Sequence, residues 1–198
     1  MSNKQKTIEA YNKNAKLIAD KYDAQGARVS DIEEVFELAK KENPEVLEIG
    51  CGNGRDAKEI IKHTNNYLGI DISEELIKLA KGKVPGAKFE VADIEEFQFP
   101  NNLDVIIAFA SLLHVNKESF KRILREAFES LNPDGLFRIS LKHSETYKEI
   151  KTEDQFGVRT FYFYSEEDLK EILGDFKILK LETKNLQDQT WLEVILQK

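Results

Sequence analysis

EVLEIGCGNGRD, Glu45 to Asp56, sets three glycines, Gly50, Gly52 and Gly54, directly behind a short apolar run. Val46, Leu47 and Ile49 read as a buried parallel strand and Arg55 onward as the start of a helix. A strand that empties through a glycine loop into a helix N-terminus brings backbone N–H groups and a partial positive charge against a ligand.

Downstream, the chain alternates strand and helix. Tyr67 to Ile70 predicts a second strand ending at Asp71, and Ser73 caps a helix through Leu79. Lys88 to Ala92 forms a third strand ending at Asp93. The most apolar run, Val105 to Phe109, reads as the central strand. Ser119 to Leu131 is amphipathic and helical, and Asn132 to Gly135 turns the chain into a fifth strand, Leu136 to Leu141. The pattern predicts an α/β fold with a parallel sheet, right-handed crossovers and helices on both faces. The tail differs: Ser165 caps a last helix with Asp168 at its third position, and Phe176 to Leu181 with Trp191 to Leu196 suits an antiparallel edge pair. His143 to Phe161 is too long for an ordinary connection and reads as a functional loop.

Upstream of the glycine loop, Ile8, Tyr11, Ala15, Ile18, Ala19 and Tyr22 recur at helical spacing and predict one amphipathic helix. Ser30 with Glu33 predicts a capping box for a second helix, with Ile32, Val35, Phe36, Leu38 and Ala39 on its buried side and Pro44 beyond its end. The expectation is therefore one domain spanning 1–198, with 1–43 as helices covering a pocket and 44–198 as the core. With 198 residues, 41% of them hydrophobic, the chain can bury such a core.

A net charge of −7 argues against holding a polyanion by bulk electrostatics, so nucleic acid is not the expected partner. One cysteine excludes an intramolecular disulfide. No apolar leader or membrane-length apolar run stands out, which makes the cytoplasm the default compartment. Three scattered histidines and one cysteine do not suggest a metal site.

In open parallel sheets the ligand sits beyond the carboxyl ends of the strands. Asp71 lies 19 residues past Gly52, the spacing at which an acid accepts hydrogen bonds from ribose hydroxyls. The glycines run G-x-G-x-G, however, and Arg55 takes the place of the third glycine of a dinucleotide loop. Glu48, just before the loop, suits a cationic ligand portion better than a pyrophosphate. Together these features point to S-adenosylmethionine.

VLEIGCGNG, GIDIS, VADIEEF, DVIIAFASLLHV and LNPDGLFRISLK follow one another in the order of five motifs, and through them the chain resembles the class I (Rossmann-like) S-adenosylmethionine-dependent methyltransferases. The resemblance is close over Glu45 to Lys142; only NPDG in place of the common PGG turn departs from it. It implies a three-layer α/β/α sandwich whose seven-stranded, mostly parallel sheet has the order 3-2-1-4-5-7-6, with one strand antiparallel. It also implies that Glu48, Gly50, Cys51, Gly52 and Asn53 approach the methionine portion and Asp71 with Ile72 the ribose. Ala92, Asp93 and Ile94 would flank the adenine, and Phe109, Ala110 and Ser111 would close the pocket. Tyr11 would reach the cofactor from the N-terminal helix, or pack as a helix tyrosine. S-adenosyl-L-homocysteine would be the product, and a small molecule the expected acceptor.

Methyl transfer demands alignment and, for an acceptor that carries a proton, a base. His114, after the fourth strand, is the sharpest candidate for that base or for a substrate-orienting group. His143 and Glu145 follow the fifth strand and would also face the pocket unless they belong to a surface loop. Arg159, Tyr162 and Tyr164 could line an acceptor pocket or belong to the core. Two other readings stay open: an NAD-dependent oxidoreductase, and a protein that binds the cofactor without transferring methyl.

Overall fold

The computed structural model describes residues 1–186 and 188–198. Among these, seven helices surround a nine-stranded sheet. The apolar runs Val46–Ile49 (β1), Tyr67–Asp71 (β2), Lys88–Val91 (β3) and Leu103–Phe109 (β4) pair in parallel, in the order β3-β2-β1-β4. Leu131–His143 (β5) continues the parallel sheet. The expected turn at Asn132–Gly135 lies inside β5 as an irregular segment: pairing with β4 passes from Leu131 to Leu136, and Asp134 takes a φ of +64°.

Beyond β5 lie Lys148–Asp154 (β6), Gly157–Tyr164 (β7), Lys177–Leu186 (β8) and Gln189–Gln197 (β9). β9 runs antiparallel to β5 and β8 antiparallel to β9, so β3-β2-β1-β4-β5-β9-β8 reproduces the seven-stranded order with one reversed strand. The additional two strands correct the expected loop. Most of the stretch 143–161 belongs to an antiparallel hairpin, β6 with β7, that runs on to Tyr164 and turns just before Gly157, where φ is +96°. Lys142 pairs with Trp191 of β9 on one edge and with Phe163 of β7 on the other. That second edge is the one β4 uses lower down, through Phe109 and Ser140. β7 thus extends the sheet over the carboxyl end of β4, where a ligand would sit.

Alternation along β1 and β4 sorts the core. Leu47, Ile49 and Ile106 face Lys117–Ser130 (α6) and Glu166–Ile172 (α7), meeting Phe120, Ile123 and Leu169. Val46, Val105 and Ile107 face Val29–Ala39 (α3) and Glu74–Lys83 (α5), meeting Ile32, Val35 and Ile77. Each such side chain contributes roughly 1.5–3 kcal/mol by burial, which fixes the strand ends that carry the site.

The N-terminal helix is two helices, Asn3–Lys13 (α1) and Ala15–Gln25 (α2). They part at Asn14, whose amide leaves the helical pattern to donate to Ala10 O and Phe156 O, both at 3.0 Å. α3 begins at Val29 without a side-chain cap, so the capping box expected of Ser30 is absent. Asp56 sets the start instead, accepting from the backbone N (2.9 Å) and guanidinium (3.0 Å) of Arg28. α3 ends at Lys40 with φ +50°, short of Pro44, and Leu38 points outward. The helix after the glycine loop is a single turn, Ala57–Ile60 (α4), shorter than the apolar pattern implied. α6 starts two residues early because Asn116 caps it, its side chain accepting from Ser119 N at 3.0 Å.

Candidate functional site

The strand ends open into a cavity of about 460 Å³, roofed by α1, α2 and the β6–β7 hairpin. Gly50, Cys51, Gly52 and Asn53 line it. Gly50 and Gly52 both take positive φ, but for different reasons. A Cβ on Gly50 would lie 2.2 Å from Ser111 Cβ, whereas a Cβ on Gly52 would meet nothing within 4 Å. Gly50 is glycine so that the β1 and β4 ends can touch; Gly52 leaves open space on the loop.

Asp71 holds the loop in that shape. Its Oδ2 accepts from Gly52 N at 2.9 Å and its Oδ1 from Ser73 N at 2.8 Å. Burial pushes its carboxyl up, against the pull of the N–H groups of Ser73, Gly52 and Ile72. Each carboxylate oxygen keeps a further lone pair, which suits a diol. Ile72, Ala92, Asp93, Ile94, Phe109, Ala110 and Ser111 also line the cavity. Ala110 turns the chain off β4 with φ +52° and donates from its N to Ser140 Oγ at 3.1 Å; Ser111 Oγ donates to Ile49 O at 2.7 Å. Open space at Gly52, a diol acceptor in Asp71 and the apolar lining residues Ile72 and Ile94 fit a ribonucleoside cofactor.

Several residues sit elsewhere than expected. Glu48 does not line the cavity: β1 alternation turns it with Val46 under the glycine loop, where the Tyr67 hydroxyl donates to it. Gly69 makes that pair possible, since a Cβ there would lie 2.3 Å from the Tyr67 oxygen. Burial and the neighbouring Asp56 push the Glu48 carboxyl up to about 8, so it is not the free anion inferred for a cationic ligand portion. His143 also lies off the cavity, with Nδ1 donating to Tyr164 O at 3.2 Å. Glu145 is exposed. Tyr162 and Tyr164 do not line the cavity, and buried Tyr164 donates to Val115 O at 3.1 Å. Asn53 lines the cavity but spends its amide on Asp23 of α2 at 3.0 Å.

His114 and Tyr11 do meet, in the roofed half. Nδ1 of His114 lies 2.6 Å from Thr160 O and Nε2 lies 2.9 Å from the Tyr11 hydroxyl. A carbonyl only accepts, so Nδ1 carries the proton and Nε2 accepts from Tyr11. Burial, with Arg159 and Lys142 adding to it, pushes His114 down to about 4. Burial also holds the Tyr11 hydroxyl well above its ordinary range. His114 is therefore a neutral, hydrogen-bonded ring at neutral pH, with its free lone pair already engaged.

The cations of the cavity wall were missed or left open by the sequence reading. Lys4 pairs with Asp93 and with Glu95 (2.6 Å), Arg159 pairs with Asp154 (2.7 Å), and Lys21 and Lys142 also line the cavity. A signal existed for α1: Lys4, Thr7, Ile8 and Tyr11 fall at i, i+3, i+4 and i+7, and all four line the cavity. Counting only apolar residues hides that face.

Residues 46–135 match a family model described as a methyltransferase domain. The chain is 32% identical over 92% of its length to malonyl-[acyl-carrier protein] O-methyltransferase 2 of Ilyobacter polytropus, spanning 70% of that protein. It is 26% identical over 95% of its length to phosphoethanolamine N-methyltransferase of Plasmodium falciparum, spanning 73% of it. In fold it is similar to Burkholderia thailandensis 1,6-didemethyltoxoflavin-N1-methyltransferase, solved with its substrate and S-adenosylhomocysteine: TM-score 0.71, 18% identity, 96% of this chain and 86% of the other. Glycine loop, Asp71, sheet order and these matches agree: the chain belongs to the class I S-adenosylmethionine-dependent methyltransferases.

Proposed function

We propose that this methyltransferase moves the methyl group of S-adenosylmethionine to an oxygen, nitrogen or sulfur atom of a small molecule. The observation that carries the reading is a single cavity shared by the glycine loop and Asp71 at one end and by Tyr11, His114 and Arg159 at the other. When bound, the cofactor supplies an electrophilic methyl on sulfur, so the protein's task is alignment and exclusion of water. Gly50 to Asn53 and Asp71 would hold its methionine and ribose portions, and Asp93 with Ile94 its adenine. α1 and the hairpin close the acceptor half against solvent.

The Tyr11–His114 pair bears on the proton. An acceptor that arrives as an anion needs no base. For one that carries a proton, Nε2 of His114 becomes available only when the Tyr11 hydroxyl lets it go, and a group held near pH 4 is a weak base. An orienting role for His114 fits this geometry better than proton abstraction.

Isothermal titration with S-adenosylhomocysteine tests the cofactor half. Asp71→Ala removes the acceptor of two backbone N–H groups as well as the ribose contacts. With charge-assisted bonds worth about 1.5–3 kcal/mol each, affinity should fall at least about tenfold. Unchanged affinity would overturn the site. Mass spectrometry of cell extract incubated with the protein and deuteromethyl-labelled cofactor reports the acceptor.

A further inference from the structure

Charge is unevenly distributed in this cavity. At the glycine-loop end each lining cation is matched: Lys4 by Asp93 and Glu95, and Arg28 and Arg55 by Asp56, at 3.0 and 2.5 Å. The acceptor end is different. Lys142 Nζ lies 3.9 Å from the Phe161 ring centroid and, among the described residues, has neither an acid within 4.0 Å nor a hydrogen-bond acceptor. Lys21 Nζ lies 4.7 Å from the Phe156 centroid, likewise without an acid within 4.0 Å among the described residues. Arg159 is 7% exposed and stacks 5.2 Å from both of those rings. Among the described residues its one acid is Asp154, and its Nε is buried with no partner. Three cations thus line the inner side of the hairpin around two aromatic rings, facing one carboxylate.

We infer that the methyl acceptor carries an oxyanion, a carboxylate or phosphate group, held between Lys142 and Arg159 with Lys21 at the mouth; this rests on the methyl-transfer reading above. Arg159 is buried, Lys142 half-buried beside it and Lys21 exposed at the mouth, so among the described residues one carboxylate faces three cations and an anion is the complementary ligand. Burial, and then Arg159 and Lys21, hold the Lys142 ammonium below the ordinary lysine range, with Asp154 alone opposing. A sulfonium donor adds a further positive charge nearby, so no portion of it other than its carboxylate can neutralise the cluster. Arg159 offers an unpaired N–H and Lys142 three donors, enough to engage both oxygens of a carboxylate or several of a phosphate. The anion is bound as a recognition group, with no bond made or broken at it in this step.

The test uses protein saturated with S-adenosylhomocysteine, so that the cofactor's own carboxylate is already accounted for. Malonate, succinate, benzoate and inorganic phosphate are titrated calorimetrically beside dimethyl malonate, dimethyl succinate and methyl benzoate. At least one anion should bind while its ester does not. Lys142→Met should weaken that binding at least tenfold, and Lys142→Arg should largely restore it. Equal binding of acids and esters, no anion binding in the millimolar range, anion binding only without S-adenosylhomocysteine, or full affinity in Lys142→Met would each overturn the inference. Which anions bind separates carboxylate from phosphate. Failure of the wild-type protein to bind S-adenosylhomocysteine would instead defeat the methyl-transfer reading, so the two failures are distinct.

Discussion

Acidification should weaken the fold through His114, and the size of the effect follows from how the ring is held. Nδ1 donates to Thr160 O and Nε2 accepts from Tyr11, so a second ring proton would face the very hydrogen that Tyr11 donates. Chiefly through burial, the ring is pushed from 6.5 down to about 4. The unfolded chain therefore binds more protons than the folded one between those values. Stability is complete above 6.5 and is lost as pH falls through the window, at about 1.4 kcal/mol per pH unit. From pH 7 to 4.5 that is roughly 2–3 kcal/mol, or about 5–10 °C in Tm for a chain of this size. His114→Asn keeps a donor for Thr160 O and cannot titrate. Carboxylates titrate in both proteins, so the quantity to follow is the Tm difference between wild type and variant from pH 8 to 4.5. At pH 8 the variant should be the less stable, having lost ring contact with Phe161 and the acceptor for Tyr11. Its deficit should shrink below pH 6.5 and close or invert by 4.5. Parallel curves would refute the claim that the ring is held neutral.

Gly50→Ala and Gly52→Ala should separate folding from binding. The first drives a Cβ into Ser111 at 2.2 Å and should cost more than about 2 kcal/mol in thermal denaturation. The second meets nothing, so it should cost about 1 kcal/mol through its positive φ yet weaken S-adenosylhomocysteine at least about tenfold; the reverse ranking would show that the open side of the loop is not the ligand side. Arg138, fully buried, joins Asp31 of α3 at 2.9 Å to Glu193 of β9 at 2.6 Å. Arg138→Met leaves a buried carboxylate uncompensated and should lower stability by about 3–5 kcal/mol, with part recovered on adding Glu193→Leu. A loss under 1 kcal/mol by calorimetry would mean that the Glu193 carboxyl folds protonated.

The cofactor half was legible because its determinants are local. Gly50, Gly52 and Asp71 lie within about 20 residues of one another, and each is tied to the strand end that the apolar pattern already marks. The parallel core and the antiparallel pair that closes one side of it could be read for the same reason. Residues 148–164 were not, since a hairpin whose β6 strand, KEIKTED, is mostly exposed carries little apolar alternation. Arg159 is a candidate for the acceptor pocket from sequence and Lys142 falls at the ligand end of its strand, but only the hairpin brings the two together. Glu48 misled in another way. An acid just before a glycine loop reads as facing the ligand, whereas its partner is Tyr67 across Gly69, a contact visible only once β1 and β2 are in register. His143 failed similarly, its ring being claimed by the β7 carbonyl at Tyr164.

α1 bridges the two halves of the cavity, and the forces that hold it are unlike those that hold the core. It buries only Thr7 and Ala10, while α6 buries Phe120, Ile123, Leu124 and Ala127. Its ties are polar and distributed. Lys4 reaches Asp93 and Glu95 on the cofactor side, and Asn12 accepts from Ser73 Oγ at 2.7 Å. Thr7 accepts from Thr160 N at 3.1 Å and Tyr11 donates to His114, both on the acceptor side. Ala10 sets the hairpin turn close, since a Cβ on Gly157 would lie 2.8 Å from its own. Net hydrogen bonds contribute about 0.5–1.5 kcal/mol each and half-exposed ion pairs less than about 1. Lifting α1 therefore costs a few kcal/mol, whereas displacing α6 would expose four buried side chains at roughly 1–3 kcal/mol apiece. Two residues that α1 would release, Asp93 and His114, line the cofactor and the acceptor ends of the one cavity.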